Sequence, residues 1–220
     1  IAQTLDLVKL IPNMIGSNNT GLGTANVYSI RGLNNTESIA SFDPPVGSYV
    51  DDVFIARQNA NNFAFYDIDR IEVLRGPQGT LYGRNATGGT LNIVSRTPTR
   101  EYEGYGMAGF GANDRIELKG AVGGPLTDVL SFRLAARSVK DDGYTDDLDP
   151  RGTNTIDDQD LRAYRGILRI QPSENVRLDL QFDHSRFENG NTSVIPTDDL
   201  GAAPRLGAVP TGSIHEVRND

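Results

Sequence analysis

From about residue 115 onward the side chains alternate with a period of two. In residues 115–122 the even positions are apolar or small (Ile116, Leu118, Gly120, Val122), whereas Arg115, Glu117 and Lys119 charge the odd ones. Residues 130–138 repeat the rhythm, with Leu130, Phe132, Leu134 and Ala136 against Ser131, Arg133, Ala135 and Arg137. Residues 176–186 begin Val176, Leu178, Leu180 and Phe182 against Arg177, Asp179, Gln181 and Asp183. Residues 162–170 follow it less cleanly, because Ile167 falls among Arg165 and Arg169, and the glycine-rich residues 102–110 follow it poorly. Alternation of this kind predicts strands with one face in an apolar medium and the other in water. The connections differ in length: Gly124–Asp128 and Pro172–Asn175 are tight, while 141–158 and the polar stretch after Phe187 are long. The short Ala112–Asp114 connection breaks the rule. Tight turns at one end and long loops at the other are the asymmetry of a transmembrane β-barrel. A soluble β-sandwich, burying one face against a second sheet, alternates in the same way.

The first hundred residues lack this rhythm. Ile1, Leu5, Val8 and Ile11, with Leu7 and Leu10 beside them, form a helical stripe that Pro12 stops. Residues 13–23 read as a loop, 26–31 as a short strand ended by Gly32, and 34–45 as a loop punctuated by Pro44-Pro45. Residues 46–55 predict another strand and 57–62 an asparagine-rich loop, after which 66–70 lead back into Ile71. The result is a small mixed α/β unit.

Its centre is Ile71–Arg96, IEVLRGPQGTLYGRNATGGTLNIVSR. Ile71, Val73 and Leu74 at one end and Leu91, Ile93 and Val94 at the other predict two strands. Gly76, Gly79, Gly83, Gly88 and Gly89 between them predict a turn-rich knot, because glycine permits positive φ and close backbone approach. A phosphate-cradling loop needs a lysine after the glycines and a helix behind them, yet Thr90-Leu91-Asn92-Ile93-Val94 is strand-like. The segment resembles the plug domain of TonB-dependent outer-membrane receptors. The resemblance continues upstream through Ser29-Ile30-Arg31-Gly32 and Val46–Val53, so it covers about the first hundred residues. The fold it implies is an α+β plug domain over residues 1–100, followed over 101–220 by about five antiparallel strands of an incomplete transmembrane β-barrel. Family barrels have about 22 strands, and five cannot close. Both ends of the chain therefore read as cut, with a secretion signal and an energy-coupling segment expected before Ile1.

Composition narrows the chemistry. The chain has no cysteine, and its two histidines, His184 and His215, are far apart, so neither a disulfide nor a zinc constellation is expected. The net charge is −8, and the seven acids between 141 and 158 face only Arg151, an imbalance that argues against nucleic acid as partner. Asp51-Asp52 reads as a turn and not as a metal site, because two adjacent acids are too few for a hard-cation cage. The run from Asp141 to Asp147 lacks calcium-loop spacing. No nucleophile–base constellation is visible, so no enzyme and no cofactor is expected.

What the resemblance implies goes further. Two plug arginines of the family reach barrel glutamates and hold the plug; the matching positions are Arg31 and Arg75, whose partners are expected beyond Asp220. Glu72 is not paired with Arg75, because their side chains leave a strand on opposite faces. Apical loops bind ligand in the family, which makes Asn34, Asn35, Glu37, Arg57, Gln58 and Asn59 the polar candidates. The function implied is gated uptake across the outer membrane of a large scarce solute, an iron–siderophore complex before cobalamin or an oligosaccharide. The implied partners are a TonB-type energy-coupling protein and outer-membrane lipid. The alternative from another class is a soluble β-rich binding module.

Overall fold

The computed structural model describes residues 4–18, 25–34, 43–56, 61, 63–143, 146–147, 158–189, 208–210 and 216–219. A 3-10 helix, Thr4–Lys9, precedes strands β1 (Met14–Asn18) and β2 (Asn26–Ile30), then β3 (Val46–Val50), β4 (Val53–Ile55) and β5 (Ile68–Arg75). A single helical turn, α1 (Gly79–Tyr82), leads to β6 (Gly89–Ser95). Then come β7 (Glu103–Phe110), β8 (Ile116–Pro125), β9 (Leu130–Asp141), β10 (Asp146–Asp147), β11 (Gln159–Ser173) and β12 (Val176–Asn189), with short β13 (Ala208–Pro210) and β14 (Glu216–Asn219). Two compact units are distinguished: residues 1–105, 120–135 and 165–182 form one, and 106–119, 136–164 and 183–220 the other.

In the first unit a four-stranded sheet has the order β4-β3-β6-β5, with β3 parallel and β5 antiparallel to the central β6. β6 reads Gly-Thr-Leu-Asn-Ile-Val-Ser and is buried almost throughout, as a strand covered on both faces must be. Leu91 and Ile93 of β6 join Leu7, Met14, Tyr28, Ile30, Val46 and Phe65 in the core. The expected glycine knot is present: Gly76 N–H donates to Gly88 O, and Gln78 N–H to Ala86 O, so the ladder of β5 and β6 continues into the turn. Gly89 takes a φ of +152° against Leu74 O, where a Cβ would sit 2.4 Å from that oxygen.

Three local expectations change. The helical stripe becomes six residues of 3-10 helix that bury Leu7, a shorter element than the pattern suggested. Residues 14–18, expected as loop, form β1 because pairing with β2 in the register Met14↔Ile30 to Asn18↔Asn26 satisfies their backbone. Gly16, Ser17 and Asn18 have little strand preference of their own, so the partner strand decides. The single strand expected over 46–55 folds as a hairpin, because Asp51 (φ 49°) and Asp52 (φ 66°) make the two-residue turn.

The five expected later strands appear as a meander of order β12-β11-β9-β8-β7. Leu126 N–H bonds Leu130 O across one tight turn, and Gly111 N–H bonds Arg115 O across another. Burial alternates along β8, β9 and β11 with inverted polarity, whereas β7 and β12 are exposed almost throughout. In the first unit Arg133 and Arg165 are buried while Val122, Leu134, Leu178, Leu180 and Phe182 are exposed. In the second, buried Arg137 pairs with Glu117 at 3.0 Å, and Ile116, Leu118 and Tyr164 are exposed. A sheet in water does the reverse; apolar side chains outward and charges inward suit strands whose outer face meets lipid. Ile167, the residue that disturbed the pattern, lies on the buried face with Arg165.

Candidate functional site

Arg31 and Gly32, with φ of 55° and 81°, form a two-residue turn closed by Ile30 N–H to Leu33 O and Leu33 N–H to Ile30 O. Asparagine or glycine suits the first position of such a turn, and a left-handed arginine costs about 1–2 kcal/mol there. Strain of this kind is kept where the side chain has a task. The Arg31 guanidinium lies over the Gly76 backbone, with Nη1 3.3 Å from where a Cβ would stand. Arg75, the residue before Gly76, is exposed and donates Nη1–H to Pro12 O at 3.4 Å. The fold thus brings the two arginines to one end of the sheet, where Arg75 pairs in register with Gly89. Among the described residues neither guanidinium meets a carboxylate. Glu72 belongs to Arg70, accepting Nε–H at 2.7 Å, and this contact pulls the Glu72 carboxyl below its usual range. Asn34 follows the Arg31 turn and is exposed. Asn35, Glu37, Arg57, Gln58 and Asn59 lie outside the described residues.

At the other end of the sheet the first unit contains a polar seam that the sequence reading missed. Asp67, with φ +52° just before β5, accepts Arg133 Nε–H at 2.5 Å and Nη2–H at 2.6 Å. The side chains are 1% and 2% exposed, so this is a fully desolvated bidentate pair. Removing one partner of such a pair costs about 3–5 kcal/mol, because the other charge stays buried alone. Glu103 of β7 accepts Arg133 Nη1–H at 2.6 Å, and the Asp67 N–H donates to Tyr105 Oη at 3.1 Å. Arg96 N–H bonds Asp67 O, so both strands of the β5–β6 hairpin end on this residue. Nearby, Asp51 accepts from Ser95 N–H at 2.7 Å, from Ser95 Oγ–H at 2.8 Å and from Gln181 Nε2–H at 2.8 Å. Arg165 lies 5.0 Å from the Tyr66 ring centre, and Arg169 bonds both Asp179 and Pro98 O. The available signal was Arg133 itself, a cation at an inward position of an alternating strand, which in a membrane strand marks a partner or a path.

Charges of opposite sign join a glycine-knotted sheet to the charged face of strands whose other face is apolar.

Comparison with known proteins agrees. Residues 2–90 match the TonB-dependent Receptor Plug Domain. The pesticin receptor of Yersinia pestis is 33% identical over 186 residues, covering 84% of this chain and 25% of the receptor. The ferric enterobactin receptor PirA of Pseudomonas aeruginosa is 31% identical over 215 residues, covering 84% of this chain and 28% of that protein. Among solved structures, the ferric yersiniabactin uptake receptor FyuA from Yersinia pestis superposes with a TM-score of 0.71 at 28% identity, over 84% of this chain and 29% of that one. The chain spans about a quarter of the length of the curated relatives it matches. Transport receptors and not enzymes make up this family. A plug matched over residues 2–90, followed by inward-charged and outward-apolar strands, places this chain in the TonB-dependent receptor family of the outer membrane.

Proposed function

We propose that the full receptor takes up a ferric chelate of the siderophore class across the outer membrane, drawing energy from a TonB-type coupling protein. In this reading residues 1–100 are the plug and the barrel begins at 101. The observation that carries it is the polar seam centred on Asp67 and Arg133, a charged joint between a plug sheet and strands that turn apolar side chains outward. Ferric yersiniabactin and ferric enterobactin receptors among the relatives, at 28% and 31% identity, support an iron chelate as the cargo. A vitamin B12 transporter of Vibrio vulnificus, at 24% identity over 144 residues, supports cobalamin less strongly. Arg31 and Arg75 act as anchors that take carboxylates from barrel strands, since a guanidinium is always charged and its planar fork takes a carboxylate bidentately. Asn34, with Asn35, Glu37, Arg57, Gln58 and Asn59, supplies polar contacts to the solute. The test is uptake of radiolabelled iron, as ferric yersiniabactin and as ferric enterobactin, by cells that rely on the full receptor, beside labelled cyanocobalamin. Iron accumulation that stops when the inner-membrane proton gradient is collapsed is expected. Cobalamin accumulation in its place would overturn the cargo, and uptake indifferent to the gradient would overturn the coupling.

A further inference from the structure

We propose that Asp67, Arg133 and Glu103 form a reversible latch: Asp67 holds the plug on Arg133, and Glu103 remains as the counter-ion of Arg133 when Asp67 leaves. The inference rests on the uptake reading, because only a plug that moves needs a latch. Arg133 divides its donors, giving Nε and Nη2 to Asp67 and Nη1 to Glu103. Arg133 on β9 and Glu103 on β7 belong to one sheet, whereas Asp67 belongs to the segment entering β5. Plug movement therefore separates Asp67 from both, while Arg133 and Glu103 stay together. When Asp67 leaves, the Arg133 guanidinium loses its bidentate partner, and Glu103 is the carboxylate already bonded to it. The Glu103 side chain is 44% exposed, so it keeps the freedom to swing onto the donors that Asp67 vacates. Asp67 is also the point where the β5–β6 hairpin closes, through Arg96 N–H on its carbonyl, so a load carried by that hairpin arrives at the latch.

The two carboxylates then have opposite effects on opening, although both bond the same arginine. Asp67 stabilises the closed state; Glu103 stabilises the open one. A purely static ion pair predicts faster release without Asp67 and no change without Glu103. The experiment pulls on the N-terminus of the full-length receptor in a supported lipid bilayer at constant load, and records plug release and re-closure. Resting conductance to KCl in a planar bilayer reports the closed state. Asp67→Asn is expected to speed release about tenfold or more and to raise resting conductance. Glu103→Gln is expected to leave conductance unchanged, to slow release about tenfold and to hasten re-closure. Release from Glu103→Gln as fast as wild type, or faster, overturns the proposal, and so does wild-type release from Asp67→Asn. Should Asp67→Asn not assemble, as judged by heat-modifiable gel mobility, Glu103→Gln decides alone, because its exposed side chain is not needed to bury anything. Neither measurement uses a cargo, so failure of the latch is distinct from failure of the uptake reading.

Discussion

Placing an arginine at Leu134 tests whether the outer face of these strands meets lipid. Leu134 is 53% exposed and sits between buried Arg133 and Ala135, so its side chain leaves the face opposite the ion pair. It stands four residues beyond Leu130, where β9 leaves the tight turn. At about 3.3 Å per residue and a tilt near 40°, that puts it about 10 Å into an apolar band roughly 25 Å tall. Arginine at such depth costs about 2–4 kcal/mol, and snorkelling toward the nearer edge moves the expectation to the lower part of that range. Leu126, in the tight turn itself and 54% exposed, is the control, where the same change costs about 0–1 kcal/mol. The assay is a denaturant titration of the full-length receptor folded into lipid vesicles, comparing Leu134→Arg and Leu126→Arg with wild type. A difference of about 1–3 kcal/mol between the two sites is expected. Costs below about 0.5 kcal/mol at both sites are what a water-facing surface gives, and would return the soluble sandwich to first place.

Gly89→Ala should destabilise the plug by about 2–4 kcal/mol, because φ of +152° disfavours a side chain and the new Cβ would press on Leu74 O and Ile30 Cδ1; the same titration reads it, and a neutral result would mean that the β5–β6 turn yields. Burial drives the Tyr28 phenol above its usual pKa of 10.0, although Asn26 donates to its oxygen at 3.0 Å. Its contribution is therefore complete below about pH 10 and is lost as pH rises beyond it. Tyr28→Phe should be about 1 kcal/mol less stable at neutral pH and should lose less stability than wild type above pH 10; parallel pH profiles would contradict this. Replacing Arg31 and Arg75 together by alanine in the intact receptor should raise passive leakage of small solutes with normal assembly, read by bilayer conductance. Unchanged leakage would remove their anchoring role.

Much was legible in the sequence because lipid and water impose a period of two that any reader of Val176, Leu178, Leu180 and Phe182 can see. Glycine density between Leu74 and Thr90 likewise announced a knot, since residues that take positive φ without penalty are needed wherever a chain doubles back sharply. Asp51-Asp52 read as a turn, and it is one. Pairing was less legible. Met14–Asn18 became a strand only because Asn26–Ile30 lay alongside it, and nothing within Met-Ile-Gly-Ser-Asn encodes that neighbour. Asp67 and Arg133 are separated by 66 residues, so no local pattern links them. The sequence by itself determined which faces are apolar, where the chain turns and which family motif it carries, because each of these depends on neighbours along the chain. Tertiary structure alone decided which charge answers which, because a buried ion pair is set by the meeting of distant segments and by the water their contact expels.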